Sequence, residues 1–428
     1  MQDSAGKTSY LDHLAADRRF AAMLGLGFSS GLPYLLVYAT QSAWLSEAQV
    51  PIETLGMLSE MTIAYKFKWL WAPFLEEYDA PFFGAWLGRR RGWIVVSQIL
   101  VMLALAGVAF GDPGHFLAWS VAFSLALGVA GATQDIVIDG WRISSVPVSK
   151  QAIMTGFAET GYRIGVLCAG AGTLLLADNY GWRVAYLCMA ALMLPGMIAA
   201  LAAPEPESSK KANRERLSFS TTVAAPIKEL ASRLGPIAIP ILIMIAGFRL
   251  PGYISNAMAM PLFKSLHYTD TEIAEVTKLF GFGVALAGVV FSSFLVRKIG
   301  LMRALLLGTV TGSASHLSLA YLAAHGGDFW TFAVAVGIDG FAASYATIVL
   351  ITYMSSLAST ELAGSQFALL TSICALPGSL LAGASGFFVH KLGFTYYFVA
   401  TSLIGVPVAI LCLWVMQRHT PPEPVREP

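Results

Sequence analysis

The stretch TQDIVIDG at residues 133–140 lies inside an apolar run that begins near Phe116. If this run is a membrane helix, Asp135 and Asp139 lie one turn apart on one face, because residues four apart share a helix face. A charge in the middle of a bilayer costs roughly 2.5 to 3.5 kcal/mol on insertion scales. Two such carboxylates therefore face a bundle interior or a water-filled cavity, and they indicate an ion or substrate path.

Composition places the chain in the membrane class. Apolar residues (AVILMFWYC) make up 56% of it and charged residues 12%, whereas a soluble domain carries about 25% charged residues. We predict an all-α polytopic membrane protein. The formal net charge of +1 argues against nucleic acid as a partner, because phosphate binding needs a concentrated basic face.

The motifs of catalysis and metal binding are absent from the sequence. It has no phosphate-cradling G-x-x-x-x-G-K-[ST] string, no nucleophile elbow and no His/Cys metal spacing. Its four cysteines lie in apolar runs without paired spacing, which predicts packing residues rather than a disulfide framework. We therefore expect a protein that is not an enzyme and has no cofactor or metal.

Apolar runs of about 17 to 25 residues are long enough to cross a bilayer. The first follows Arg18 and Arg19, and because no small-residue cleavage site closes a short apolar segment, we interpret it as an uncleaved helix rather than an export signal. The twelve predicted spans are 20–44, 54–75, 92–110, 115–140, 150–177, 181–202, 236–262, 270–296, 303–323, 328–355, 360–387 and 393–416.

The distribution of positive charge predicts the orientation. With both termini in the cytoplasm, the inner segments hold 19 lysines and arginines, whereas the outer loops hold three, at Arg183, Lys264 and Lys391. Cytoplasmic loops carry the excess of Lys and Arg in membrane proteins. We therefore expect both termini in the cytoplasm.

The longest break between predicted spans, 203–234, contains two prolines and a Lys/Arg cluster. It divides the chain into an N-terminal six-helix bundle (1–202), a cytoplasmic linker (203–234) and a C-terminal six-helix bundle with a short tail (235–428). Within the linker, the apolar residues of 219–234 have the spacing of an amphipathic helix lying on the membrane surface. A plain solvated linker is the alternative.

The two halves of the chain resemble each other weakly. A Gly/Pro break interrupts the first span at 31–34 (GLPY) and the seventh at 249–252 (RLPG), and paired breaks of this kind indicate the central site of a transporter. A basic turn follows the second span at 88–92 (GRRRG) and the eighth at 297–303 (RKIGLMR). This pattern resembles the cytoplasmic signature of the major facilitator superfamily, whose fold has 12 transmembrane helices in two six-helix bundles.

Five further strings narrow the resemblance: KFKWLWAP at 66–73, ATQDIVID at 132–139, GYRIG at 161–165, YMSSL at 353–357 and SQFALL at 365–370. In this order they are similar to the motifs of the AmpG family of anhydromuropeptide permeases. The similarity extends from about Gly25 to Leu413, which is nearly the whole chain.

The resemblance implies a proton-coupled importer in the bacterial inner membrane. Its cargo would be N-acetylglucosamine-anhydro-N-acetylmuramic acid, with or without its peptide, carried from periplasm to cytoplasm for peptidoglycan recycling. The proton gradient would drive it without a cofactor. One position departs from the family: Gly252 stands where relatives often have an acidic residue, which removes one candidate proton or peptide contact.

Helix geometry predicts a cluster of ionisable groups. At 1.5 Å per residue, Asp135 lies roughly 10 Å above Arg142, and Glu159 and Arg163 lie roughly 14 to 20 Å along the fifth span. We expect Asp135, Glu159 and Arg163 to meet near mid-membrane, where a protonation step frees or captures the arginine. A permanent ion pair that locks two helices is the alternative. We assign Asp139 and Arg142 to a cytoplasmic gate, with a structural pair as the alternative.

The implied cargo needs counter-charges for carboxylates, and aromatics and amides for sugars. Lys66 and Lys68 point to different faces of a helix, and we place the deeper Lys66 in the site and expect Lys68 to reach toward the headgroups. The predicted substrate-binding residues are Gln41, Tyr65, Lys66, Gln134, Tyr162, Arg163, Arg249, Asn256 and Gln366. For each single aromatic or amide, helix packing or an interhelical hydrogen bond is the alternative.

In the second half, Asp339 is the acid that we expect to share proton coupling with Asp135, again with a structural ion pair as the alternative. Other functions also stay open. A major facilitator transporter of another anionic cargo, such as acetyl-coenzyme A, would need a denser basic cavity. A membrane signalling or lipid-scrambling protein would use the fold without uphill transport. We expect a monomer in contact with the lipid bilayer.

Overall fold

The computed structural model describes residues 17–37, 39–50, 63–207 and 219–419. Every regular element in these ranges is helical. The α-helices are α1 Arg18–Val37, α2 Ala39–Glu47, α3 Ile63–Phe67, α4 Ala72–Glu77, α5 Gly84–Leu87, α6 Arg89–Ala109, α7 Leu117–Ser145, α8 Val148–Leu167, α9 Thr173–Tyr180, α10 Trp182–Ala191, α11 Leu194–Ala202, α12 Phe219–Leu234, α13 Ala238–Phe248, α14 Leu250–Ser265, α15 Asp270–Ala274, α16 Gly281–Ile299, α17 Leu301–Ala314, α18 His316–His325, α19 Phe329–Leu357, α20 Ala363–Ala382 and α21 Ser385–Arg418.

Within the described ranges, ten helical stretches are long and apolar enough to cross a membrane. They are Arg18–Glu47, Arg89–Ala109, Leu117–Ser145, Val148–Tyr180, Trp182–Ala202, Thr221–Ser265, Thr271–Ile299, Phe329–Leu357, Ala363–Ala382 and Ser385–Arg418. The prediction of an all-α polytopic membrane protein is confirmed. Of the other two predicted spans, 54–75 begins outside the described residues, and 303–323 is divided at Ser315 into α17 and α18. The count of twelve and the cytoplasmic termini stay predictions.

The two predicted Gly/Pro breaks have different outcomes. The seventh predicted span is interrupted as expected, at Arg249 between α13 and α14. The first is not, because α1 continues through Pro33 to Val37. A proline removes only its own N–H from the helical ladder, and packed neighbours in a membrane protein compensate for that loss. The expected break in the first span is therefore wrong.

The last two predicted spans also have shifted boundaries. α20 ends at Ala382 and α21 begins at Ser385, whereas we expected a connection near 388–392. Gly393 lies within α21 and has φ 73°, a backbone conformation that glycine adopts without steric penalty. Two helices therefore meet at Gly393, directly after the predicted connection, and α21 is kinked there rather than continuous.

α12 covers the residues for which the sequence predicts a surface helix. Thr222, Pro226, Leu230 and Leu234 are buried and repeat every four residues, whereas Lys228 is exposed. This spacing places the buried residues on one face of the helix. Residues 208–218 of the predicted linker lie outside the described ranges, and the predicted division into bundles and linker stays a prediction.

By internal contacts the described chain forms two compact units. Unit 1 comprises the residues up to Pro147 together with Ile153–Pro226 and Ser359–Ala368. Unit 2 comprises Val148–Ala152, Ile227–Ala358 and the residues from Leu369 onward. Unit 1 therefore includes a short segment, Ser359–Ala368, that comes from late in the chain.

In unit 1, α1 packs very closely against α8. Both helices carry glycines four residues apart, at Gly27, Gly31, Gly161 and Gly165. A Cβ on Gly161 would lie 2.1 Å from the Leu24 carbonyl oxygen, and one on Gly27 would lie 2.2 Å from the Ala158 carbonyl oxygen. Glycines at this spacing let two membrane helices approach backbone to backbone. The contact holds the turn 159–163 of α8 against α1.

In unit 2, α19 is the central helix and packs against α16, α17 and α18. Its Phe332 is fully buried and stacks on Tyr268, with ring centroids 4.3 Å apart. Ser318 of α18 donates a 2.8 Å hydrogen bond to the Ala335 carbonyl of α19. The Ser318 hydrogen bond places the start of α18 beside the second turn of α19.

Candidate functional site

Asp135 on α7 is the centre of a charged site in unit 1. Its Oδ1 accepts a 2.5 Å hydrogen bond from Ser30 Oγ of α1, and its Oδ2 lies 3.9 Å from Lys68 Nζ. The Lys68 side chain is 8% exposed and the Asp135 side chain 20%. The lysine is therefore buried against a carboxylate that a proton can still reach.

The structure brings Lys68, and not Lys66, to Asp135. α3 ends at Phe67, and the chain continues as a 3-10 turn over Lys68–Leu70. The regular α-helical geometry used in the prediction therefore ends between the two lysines. Lys68 is buried and Lys66 is half-buried, so the expectation that Lys68 reaches toward the headgroups is wrong. The substrate role of Lys66 stays a prediction.

Tyrosines surround the Asp135 carboxylate. The side chains of Tyr65 and Tyr162 both interact electrostatically with the Asp135 carboxylate. The Tyr34 ring meets the Tyr65 ring edge to face at 5.3 Å. The Tyr65 hydroxyl lies against Gly131, where an added Cβ would be 2.2 Å from it. The predicted residues Tyr65 and Tyr162 are thus brought together with Asp135, and tyrosine rings and hydroxyls suit sugars.

Glu159 and Arg163 form an ion pair along α8. Arg163 Nη2 lies 2.9 Å from Glu159 Oε1, and the side chains are 25% and 15% exposed. The expected three-way meeting with Asp135 is replaced by two pairs, Glu159–Arg163 and Lys68–Asp135. The 3-10 turn that buries Lys68 supplies a nearer cation to Asp135 than α8 does. Glu159 remains close to the site through Tyr162, which is in electrostatic range of both acids.

Asp139 and Arg142 form the predicted pair one turn along α7. Arg142 Nη2 lies 3.1 Å from Asp139 Oδ1, and the arginine side chain is 1% exposed. Arg142 also donates to Thr155 Oγ1 of α8 at 2.9 Å, and its guanidinium lies 4.9 Å from the centre of the Phe367 ring. The pair therefore ties α7 to α8 and to the 359–368 segment, and its role as a gate stays a prediction.

The predicted glutamines Gln41 and Gln134 point into helix packing. Gln134 has no exposed surface and donates to Ser29 Oγ of α1 at 3.2 Å. Gln41 of α2 is 2% exposed and donates to Ser124 Oγ of α7. These positions favour the interhelical hydrogen bond, which is the alternative to cargo contact.

Gln366 near the start of α20 is also fully buried. Its Nε2 donates to the Pro226 carbonyl at 3.3 Å, and its Oε1 accepts a 2.7 Å hydrogen bond from the Ser359 backbone N–H. Both amide ends therefore bind main-chain groups. This arrangement favours a structural role in holding the 359–368 segment.

Unit 1 also contains a buried charge cluster that the sequence did not reveal. Glu76 of α4 accepts hydrogen bonds from Gly364 N–H at 2.8 Å and from Ser365 Oγ. Arg90 of α6 lies 3.9 Å from Glu76 and donates to the Thr360 carbonyl at 2.9 Å. In the sequence, Glu76 is visible as an acid at the end of the apolar run before the basic turn 88–92. Nothing in the sequence indicates that its partners are Gly364 and Ser365.

In unit 2 the predicted residues Arg249, Asn256 and Asp339 line one cavity of about 100 Å³. Arg249 lies between α13 and α14, with its guanidinium 5.4 Å from the centre of the Tyr253 ring. Asp339 of α19 accepts a 2.9 Å hydrogen bond from Ser315 Oγ. The cavity therefore combines an exposed cation with a carboxylate held by a hydroxyl.

Gly252 lines the same cavity. A Cβ added there would meet no atom within 4 Å. The position for which the family resemblance implies an acidic residue is therefore open space in this chain, and packing does not require a glycine there.

Comparison with known proteins defines the class. A sequence profile described as "Major Facilitator Superfamily" matches residues 80–376 and 241–428. The structure of the proton:xylose symporter XylE bound to 6-bromo-6-deoxy-D-glucose gives a TM-score of 0.67 at 13% identity, covering 95% of this chain and 96% of that chain. The human organic anion transporter MFSD10 gives 0.69 at 14% identity, covering 92% and 99%. The fold is that of a major facilitator transporter.

Two relatives at higher identity specify the family. The anhydromuropeptide permease of Escherichia coli (strain K12) is 31% identical over 401 residues, covering 92% of this chain and 79% of that protein. A Rickettsia felis protein named as transporter AmpG 4 is 27% identical over 406 residues, covering 94% and 97%. The chain belongs to the anhydromuropeptide permease family of the Major Facilitator Superfamily. It is a non-enzymatic, multi-pass transporter of the bacterial inner membrane.

Proposed function

We propose that the chain imports anhydromuropeptides, with or without their peptide, from periplasm to cytoplasm together with protons. The cargo assignment is supported by the Escherichia coli relative, which is named an anhydromuropeptide permease. Proton coupling is supported by one observation in this chain: the partly exposed Asp135 carboxylate pairs with the buried Lys68 inside the membrane bundle. The proton gradient is the driving force, and no cofactor takes part.

Protonation of Asp135 links proton binding to cargo binding. A protonated carboxyl is neutral, so the buried Lys68 ammonium loses its counter-ion. A cargo carboxylate, on the peptide stem or, in the peptide-free disaccharide, on the lactyl group of the muramic acid, then replaces it through a charge-assisted hydrogen bond. When the proton leaves, the Lys68–Asp135 pair forms again and displaces the cargo carboxylate. Proton and cargo therefore bind together and leave together.

The surrounding side chains supply the remaining contacts of this proposal. The rings of Tyr34, Tyr65 and Tyr162 offer apolar faces to the sugars and hydroxyls to their polar groups. Arg163 of α8 is 25% exposed and provides a second cation for the cargo. Unit 2 has its own cavity, which contains Asp339, and there Arg249 and Asn256 stay predicted substrate-binding residues.

Liposomes containing the full chain test the proposal. Labelled disaccharide-peptide is added with an acidic exterior, and the wild type should concentrate it inside. Asp135→Asn should abolish this accumulation while cargo binding stays measurable. The matched control is Asp178→Asn, which makes the same change at an exposed aspartate of α9 and should leave uptake unchanged.

The same assay separates the parts of the proposal. Accumulation that does not depend on the pH gradient would contradict proton coupling. Failure of unlabelled anhydromuropeptide to compete would contradict the cargo, and uptake of acetyl-coenzyme A in its place would support the other anionic cargo. Inside-out vesicles test direction, because their lumen corresponds to the periplasm. With an acidic lumen the proposed importer should move cargo from the lumen to the medium at the former cytoplasmic face, and with an acidic medium it should not.

A further inference from the structure

A histidine and an aspartate lie side by side at the break between α17 and α18. His316 is the first residue of α18, and its Nε2 lies 3.9 Å from Asp339 Oδ1 of α19. The His316 side chain is 4% exposed and the Asp339 side chain 22%. Ser315, which separates the two helices, donates its 2.9 Å hydrogen bond to the same Oδ1. One carboxylate oxygen therefore has both an imidazole and a hydroxyl beside it.

The surroundings of this pair contain few other charges. Among the residues that line the adjacent cavity of about 100 Å³, the acidic and basic ones are Arg249, His316 and Asp339. α21 presents the uncharged Thr401 to His316. The turn Glu275–Phe280, which packs against α19, carries Glu275 and Lys278, and both are exposed. The imidazole and the carboxylate are thus each other's nearest ionisable partner in the described chain.

Burial makes the charges of the two groups depend on each other. A buried imidazole can hold a positive charge only if an anion compensates it, and a buried carboxylate needs a cation or a proton. At 3.9 Å the two groups interact strongly enough to titrate as a pair rather than separately. A cavity of this size has room for several waters, so a proton can reach the pair from the cavity.

We infer that His316 and Asp339 form one shared proton-binding site in unit 2. The inference rests on the proposed proton-coupled function and extends it to a histidine outside the predicted site residues. When the site is empty, His316 is neutral, Asp339 is a carboxylate and the pair carries one negative charge. A proton taken from a cavity water forms an N–H bond on His316 or an O–H bond on Asp339, and the pair becomes neutral overall. The reverse step returns the proton to water.

Two neighbouring residues, Ser315 and Arg249, interact with this proton site. The Ser315 hydroxyl stabilises the carboxylate by a charge-assisted hydrogen bond. The protonation state of Asp339 therefore affects the residue that separates α17 from α18. Arg249 lines the same cavity as a fixed positive charge, so loss of the proton leaves a net attraction between the pair and the guanidinium. Cargo carboxylates bound at Arg249 would compete with that attraction.

The transport experiment compares His316→Gln and Asp339→Asn with the wild type in liposomes. Gradient-driven accumulation should fall at least about tenfold in both, whereas exchange of labelled for unlabelled cargo without a gradient should stay within about twofold. Because the two residues form one site, the double variant should lose no more than either single variant. The matched control is His325→Gln, which changes an exposed histidine on the same helix and should behave as wild type.

Infrared difference spectroscopy on the purified full chain measures proton binding without transport. The wild-type spectrum minus that of Asp339→Asn should contain a carboxylic acid component that appears as the pH is lowered, and the midpoint of this component should move by about one pH unit in His316→Gln. An unmoved midpoint, or additive losses in the double variant, would overturn the shared site even if the wild type accumulates cargo. A shared titration in a wild type that accumulates nothing would instead overturn the proton-coupled function and leave the shared site intact.

Discussion

Ser30 Oγ of α1 lies 2.5 Å from Asp135 Oδ1 of α7, and this hydrogen bond joins residues 105 positions apart. Ser30 directly precedes Gly31, one of the glycines that let α1 approach α8. The hydroxyl that stabilises the site carboxylate is therefore placed by a close backbone contact between two helices of unit 1. Changes in that helix contact and changes in the charge of Asp135 should affect each other.

Ser30→Ala should alter proton-driven uptake more than it alters folding. A hydrogen bond to a charged group contributes about 1.5 to 3 kcal/mol, which corresponds to roughly tenfold or more in the equilibrium between the two protonation states. We expect the pH dependence of accumulation to change and cargo exchange to persist. The control is Ser97→Ala, since Ser97 is fully buried and donates to the Ile94 carbonyl within its own helix. Equal effects of both changes would contradict the role given to Ser30.

Lys68→Gln should reduce proton-driven uptake far more than Lys66→Gln. Lys68 is the cation beside Asp135, and removing one member of a buried ion pair costs about 3 to 5 kcal/mol because the other charge is left unpaired. Liposome uptake should fall at least about tenfold for Lys68→Gln and less than about twofold for Lys66→Gln. The reverse order would show that Lys66 rather than Lys68 is the cation on which coupling depends.

The double variant Lys68→Gln/Asp135→Asn separates stability from transport. It removes both charges together, so it leaves no unpaired charge in the bundle. We expect its thermal stability in detergent to recover toward that of the wild type while accumulation stays absent. A double variant less stable than Lys68→Gln alone would show that the two residues do not form a pair.

The sequence predicted the parts of the site that local pattern can reveal. A carboxylate in an apolar run is unusual by itself, so Asp135, Asp139 and Asp339 were identifiable from composition and spacing. The residues that complete their environment depend on tertiary structure. Ser30 and His316 are unremarkable in sequence, and Lys68 reaches Asp135 because a 3-10 turn replaces the regular helix. Buried amides such as Gln134 could not be distinguished from cargo contacts before their partners were known.

The glycines of α1 and α8 should be among the positions least tolerant of change. Gly161→Ala would place a methyl group 2.1 Å from the Leu24 carbonyl oxygen, so the helices must separate. Gly283→Ala is the control, because a Cβ at Gly283 meets nothing within 4 Å, and alanine favours a helix by roughly 0.5 to 1 kcal/mol. Melting temperatures in detergent should fall for Gly161→Ala and stay level or rise for Gly283→Ala. A stable Gly161→Ala would contradict the close contact.

The N-terminus of α19 should loosen in acid. Asp328 accepts hydrogen bonds from the Thr331 backbone N–H at 2.9 Å and from its hydroxyl at 2.8 Å. These bonds hold the pKa of Asp328 below its ordinary value of 3.8, and the bond from the backbone N–H has the larger effect. The stabilisation is therefore complete above about pH 4 and is lost as the pH falls through the lower pKa of the folded protein.

Hydrogen exchange of the amides at 331–333 measures this loosening. Protection should decrease in the wild type as the pH falls below about 4. In Asp328→Asn it should change little with pH, because asparagine also caps helices but has no carboxyl group to titrate. Parallel behaviour of the two proteins would show that another group controls this helix end.

Gly252→Glu should be tolerated in folding and should change the response to the peptide part of the cargo. The position is open, and it lies in the first turn of α14, where a negative charge interacts favourably with the helix dipole. The new carboxylate enters the cavity with Arg249 and Asp339, where it competes with cargo carboxylates for the guanidinium. We expect an unchanged or higher melting temperature and a KM that rises several-fold for the disaccharide-peptide, and less for the peptide-free disaccharide, whose one carboxylate is that of the muramic acid. Gly252→Gln adds nearly the same volume without the charge and should leave both KM values close to those of the wild type. If the glutamine variant reproduces the effect of the glutamate variant, the added volume rather than the charge accounts for the change in KM. The cavity of unit 2 then does not bind the peptide carboxylates.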